Sequence, residues 1–96
     1  MKARIWNFNG WTGDTDPEKL KTYYDGKLRE SGFKILDIAE HFFTPFGYTC
    51  LFLLGESHFA IHTFPEEEKS YIEISSCNEK YFNRFVEMIK NDDKIL

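Results

Sequence analysis

Trp6 and Phe8 stand two residues apart within Ala3–Asn9, so both fall on one face of an extended segment, and the pattern predicts a short strand over 3–9. The period then changes. Leu20, Tyr24 and Leu28 recur every four residues with Tyr23 beside them, the stripe of an amphipathic helix. The flanking residues set its limits. Asp16 followed by Pro17 supplies an N-cap and a first-turn proline, Thr15 and Glu18 offer an alternative capping box, and Gly32 is a natural stop, giving a helix at 17–31. From Phe33 onward, short aromatic and β-branched runs alternate with turn formers at 44–47, 55–57 and 65–70. They predict strands near 34–43, 48–54, 58–64 and 71–76. Asn78 then caps a second helix, whose Phe82, Phe85, Val86 and Ile89 form an apolar stripe before the polar tail at 91–94.

The predicted order is βαββββα, an α+β chain. Successive strands with short connections make a largely antiparallel sheet, because a parallel return needs a crossover of about a dozen residues or more. Both helices on one face complete a two-layer sandwich and leave the other face to solvent or to another subunit. The composition bears on that second face. Ten phenylalanines are many for 96 residues, a length that fits a single domain burying about two thirds of its extended surface, and an aromatic sheet face makes a dimer the expected assembly. A formal charge of −4, with no cluster of Lys and Arg, argues against a nucleic-acid partner. No apolar run reaches membrane-spanning length and the MKARIWNFNG start shows no leader pattern, so a soluble cytoplasmic protein without a membrane partner is expected. Cys50 and Cys77 are too few for a disulfide scaffold and lack metal or redox spacing, so free thiols are expected.

The densest polar constellation runs from Gly55 to Glu66. Ser57 with two nearby histidines suggests a nucleophile and a base, but no Gly-x-Ser-x-Gly elbow accompanies it, which disfavours a hydrolase. His58 and His62 with Glu56 or Glu66 have the residue types of a metal site. However, a four-residue gap on a strand puts the two histidines two pleats apart on one face, and no metal is expected. Taken alone, each histidine reads as a polar residue at a sheet edge. Ser57 and His62 differ by five positions and face opposite sides of a regular strand, so their cooperation requires Ser57 to sit in a turn or bulge, which Gly55 permits. Cys77 lies where the last strand gives way to the helix, and the three side chains are expected to converge at one end of the sheet.

In its motif, Glu56-Ser57-His58 followed by Ile61-His62-Thr63-Phe64-Pro65-Glu66, with Cys77 twenty positions after Ser57, the chain resembles the bacterial and archaeal S-adenosylmethionine decarboxylases. These are self-processing pyruvoyl enzymes of polyamine synthesis. The upstream stretch His41 to Thr49 looks like the family's Phe-x-Pro-x-Gly-x-Ser segment. The likeness is detailed over residues 33–77 and extends to the first strand and helix in pattern only.

The resemblance implies a mechanism. Ser57 Oγ attacks the Glu56 carbonyl, and β-elimination and hydrolysis leave a pyruvoyl cofactor at the head of residues 57–96, so that the domain becomes chains 1–56 and 57–96. His62 assists the processing and Thr49, in the place of the usual serine, bonds to the intermediate. The substrate amine forms a Schiff base with the pyruvoyl group, and Cys77 returns a proton after carbon dioxide leaves. Phe43 stacks on the adenine and Glu66 bonds near the ribose, with the acidity of Glu66, Glu67 and Glu68 suited to a sulfonium cation. A homodimer of processed chain pairs is the implied assembly.

Besides Thr49, three positions depart from the family's pattern: Cys50 and Asn78 replace glycines and Phe64 replaces a tryptophan. Only 19 residues follow Cys77, where the family usually continues through further sheet structure. Two alternatives therefore stand beside the decarboxylation of S-adenosylmethionine: the same chemistry on another amino acid such as ornithine or arginine, and an unprocessed, non-enzymatic paralogue that pairs with or regulates an active enzyme.

Overall fold

A computed structural model describes residues 2–96. The elements are β1 (Trp6–Thr12), α1 (Pro17–Ser31), β2 (Asp37–Phe42), β3 (Tyr48–Leu53), β4 (His58–Phe64), β5 (Lys69–Ser76) and α2 (Glu79–Asn91), with a 3-10 turn at Pro65–Glu67. The five strands form one sheet in the order β1-β5-β4-β3-β2, every neighbour antiparallel, and the predicted order βαββββα holds.

The helices begin and end where local chemistry dictates. Asp16 accepts the Glu18 N–H at 3.0 Å and the Lys19 N–H at 3.4 Å, so the aspartate cap, and not the Thr15 box, starts α1. Gly32 closes it with φ 115°, and a Cβ there would meet the Tyr81 ring at 2.6 Å. Only glycine allows both the left-handed turn and the approach of α2. Asn78 Oδ1 accepts the Tyr81 N–H at 3.0 Å and caps α2.

Strand limits depend on partners far away in sequence, and there the pattern is less exact. The first strand lies three residues later than predicted, because its ladder with β5 runs from Trp6↔Ser76 to Thr12↔Ser70 and takes in Gly10, Trp11 and Thr12. Gly10 resembles a turn signal but serves close packing: Ile95 Cγ2 would lie 3.3 Å from a Cβ at that position. The last strand begins two residues early, at Lys69, after Glu68 reverses the chain at φ 56°.

The core lies between the helices and one sheet face. Phe59, on the central strand β4, is fully buried. Its ring centroid is 4.9 Å from Tyr24 of α1, 5.3 Å from Phe85 of α2 and 5.8 Å from Phe52 of β3. Ile61, Ile72, Ile74, Leu28 and Ile89 extend this cluster. Among the described residues no helix covers the opposite face, and Leu51 and Leu53 on β3 remain about half exposed. Truncating Phe59→Ala therefore should cost about 3–5 kcal/mol in a denaturant titration, and Leu51→Ala less than about 1 kcal/mol of the stability of a single copy. Equal losses at the two positions would contradict this assignment of faces.

Candidate active site

The pleat of β4 divides the candidate residues. Phe59, Ile61 and Thr63 point to the helix side, while His58 and His62 lie on the open face. Ser57 precedes the strand in a tight turn closed by the Leu54 N–H on the Ser57 carbonyl at 2.8 Å, with Gly55 at φ 74°. It does sit in a turn, yet its side chain keeps the inward parity and is 5% exposed. Its Oγ donates to Ser76 Oγ at 2.9 Å. Cys77 follows β5 directly, and its Sγ donates to Glu56 Oε2 at 3.4 Å. Glu56, Ser57 and Cys77 thus share one cleft of about 430 Å³, bordered by Phe33 and Tyr81.

His62 belongs to a second cluster. It pairs across the ladder with Thr49 of β3, whose Oγ1 lies 2.9 Å from His62 Nδ1, and its ring is inclined by 24° to that of Tyr71 at a centroid distance of 6.3 Å. Phe43 and Glu66 line the same cleft of about 350 Å³. Convergence of Ser57, His62 and Cys77 at one end of the sheet is therefore not what one copy of the chain presents. Five residues of extended strand, about 16 Å, separate Ser57 from His62, and the two side chains leave the sheet on opposite faces.

A wider cleft, about 660 Å³, contains none of these residues. There Glu40 accepts the Tyr48 hydroxyl at 2.5 Å and Lys21 Nζ at 3.0 Å, and these bonds, Tyr48 first, hold its carboxyl below the usual range. Of the residues that touch the candidate site, Ser76 and Tyr71 were not anticipated. Hydrophobic patterning says little about a serine, but the strand register does place Ser76 opposite Ser57, as the next pair after His58↔Ser75.

Fold and site together define an α+β sandwich with a serine–cysteine cleft at one sheet end and a threonine–histidine cleft towards the other. The family model described as S-adenosylmethionine decarboxylase matches residues 5–92, and the chain belongs to that family. It is similar to the S-adenosylmethionine decarboxylase proenzymes of Geobacillus kaustophilus, at 40% identity over 59% of this chain and 45% of that protein, and of Parasynechococcus marenigrum, at 33% identity over 69% and 56%. The matches thus span about half the length of these curated relatives. In fold it resembles the crystal structure of the adenosylmethionine decarboxylase of Aquifex aeolicus, with a TM-score of 0.75 and 19% identity over 98% of this chain and 84% of that one.

The two thiols should differ sharply in reactivity. Cys50 is fully buried, and burial pushes its thiol up, whereas Cys77 is partly exposed at the cleft. Iodoacetamide should add one label to the native protein, on Cys77, and two after unfolding, as read by peptide mass. Labelling of Cys50 in the native state at a comparable rate would contradict its place in the core.

Proposed function

We propose that this chain is a self-processing, pyruvoyl-dependent decarboxylase that converts S-adenosylmethionine to its decarboxylated form and carbon dioxide for polyamine synthesis. The observation that carries the reading is the Glu56–Ser57 peptide in a tight turn, with the Cys77 thiol 3.4 Å from the Glu56 carboxylate, in a member of this family.

In the processing reaction Ser57 Oγ bonds to the Glu56 carbonyl carbon while the peptide C–N bond breaks, giving an ester. Loss of the Ser57 α-proton expels the Glu56 carboxylate, and water then releases ammonia and leaves a ketone at the head of residues 57–96. The surroundings fit such a group. Glu56 and Ser57 lie between the β3 and β4 ladders and outside both, so a cut there removes no strand pairing. The strands of 57–96, β4 and β5, are held between β3 and β1 of 1–56, so the two pieces form one interleaved domain.

The pyruvoyl ketone supplies an electron sink for loss of carbon dioxide. Around it Cys77 offers a thiol proton, and a cytoplasmic setting keeps that thiol reduced. The exposed Phe43 ring offers a face for adenine, Glu66 a carboxylate for the ribose hydroxyls, and Glu66, Glu67 and Glu68 a negative field for a sulfonium.

Because Ser57 and His62 are far apart in one copy, the assembly proposed is a homodimer in which a second copy, turned end for end, brings its Thr49–His62 cleft to the Ser57–Cys77 cleft. Leu51 and Leu53 are half exposed on the open face from which His62 projects, and the second copy would reach Ser57 around the end of the sheet, where Glu56 and Cys77 are accessible.

Intact-mass analysis of purified protein should show pieces of 56 and 40 residues, and Ser57→Ala should remain whole. A fully active sample containing only uncut chain would sink the reading, and an uncut chain that stimulates an active partner would favour the regulatory paralogue. The dimer is tested by complementation. Ser57→Ala and His62→Ala chains, each inactive alone, should regain about a quarter to a half of the activity when refolded together, because mixed dimers hold one intact composite site. No recovery in demonstrated mixed dimers would count against the shared site.

A further inference from the structure

The Ser57 hydroxyl has one side-chain partner, the hydroxyl of Ser76 at 2.9 Å. Both residues are buried, Ser76 completely. Ser76 is itself fixed: its Oγ accepts the Asn78 N–H at 2.9 Å, at the point where β5 turns into α2. The Ser57 carbonyl is held from the other side by the Leu54 N–H at 2.8 Å. The residue is thus clamped at main chain and side chain, while the Glu56 peptide between them lies outside the ladder.

We infer that Ser76 is a positioning residue for self-cleavage at Glu56–Ser57, a role that rests on the processing reading above. A serine Oγ can occupy three staggered positions about χ1, and attack on the carbonyl of the preceding residue requires Oγ to stay in a defined one. The Ser76 oxygen accepts the Ser57 hydroxyl hydrogen and selects that position in a site where few waters compete for the bond. In the step it supports, the bond from Ser57 Oγ to the Glu56 carbonyl carbon forms and the C–N bond breaks. The hydroxyl proton finishes on the Ser57 nitrogen, so no other reactant is consumed. Ser76 acts through Ser57 and touches neither substrate nor the ester carbon.

The test follows the rate of cleavage by intact mass in freshly purified, full-length precursor. Ser76→Ala and Ser76→Val should slow cleavage about tenfold or more, and Ser76→Thr, which keeps a hydroxyl and matches valine in shape, should restore it to within about threefold of the original. Thermal unfolding of each variant identifies any loss of rate that follows from loss of fold, and the Thr against Val contrast stays informative if Ser76→Ala folds poorly. Hydroxylamine, which cleaves the ester directly, should also cut Ser76→Val slowly, because the ester itself forms slowly. Cleavage of folded Ser76→Val at the unsubstituted rate, or faster, would overturn the proposal while leaving the processing reading intact. So would normal hydroxylamine cleavage with only spontaneous cleavage slowed. An unsubstituted chain that never cuts would overturn both.

Discussion

Phe59 fixes the geometry of everything around it. It occupies the central strand, its neighbours across the ladders are Phe52 and Ile74, and its ring meets one aromatic residue from each helix. A ring of that size has one low-energy place, inside, and the period of two then determines the direction of every other side chain on β4. Ser57 must share the face of Phe59, and His62 must take the other. The division of the candidate site into two clefts thus follows from core packing, and a slip of one residue that brought His62 inward would drive Phe59, Ile61 and Thr63 into water.

The same arrangement would let a chain this small hold together after the cut proposed at Glu56–Ser57. The turn at Leu54–Ser57 joins β3 to β4, but pairing between those strands runs from Thr49↔His62 to Leu53↔His58 without it. On the other flank β1 closes on β5 along seven residue pairs, from Trp6↔Ser76 to Thr12↔Ser70. The later piece lies between two strands of the earlier one, and α2 packs beside α1. Separation would need both ladders and the aromatic core to open together. What the turn contributes is chiefly loop-closure entropy, a term that changes slowly with length and that local ladders can offset.

Much of the fold was legible because its signals are local. The limits of α1 follow from Asp16, Pro17 and Gly32, all of which act within a turn of the helix end. Strand limits are set by partners some sixty residues away, which is why Gly10 and Trp11 looked like the end of β1 when they are its middle and later part. The site shows the same contrast. The residue types and spacing of Glu56, Ser57, His62 and Cys77 stand out in the sequence, as does the opposed parity of Ser57 and His62, whereas Thr49 enters only through the family resemblance. Hydrophobic patterning alone does not reveal that Ser57 keeps that parity inside a turn, or that Ser76 waits for it across the ladder. A serine in an inward position is silent in such patterns until the register pairs it with another.

The uncovered sheet face is the remaining constraint, and its chemistry is uneven. Towards β1 it carries Asn7, Asn9, Glu73 and Ser75, with Glu73 accepting the Tyr71 hydroxyl at 2.9 Å, and beside them the exposed Trp11 packs edge-on against Tyr71 at 5.4 Å. Towards β3 it carries Leu51 and Leu53, and Ala60 beside them is only 4% exposed because its neighbours overhang it. Two copies of a chain with formal charge −4 repel one another at a distance. At physiological salt that repulsion fades over about 8 Å, whereas burial of apolar surface is gained at contact. A dimer of the kind proposed would gain its apolar burial at Leu51 and Leu53, which share that half of the face with the polar Asp37, Thr49, His58 and His62. The acidic run Glu66–Glu68 lies beyond the end of β4, outside the sheet, where Lys69 Nζ already stands 4.0 Å from Glu67 and offsets part of its field.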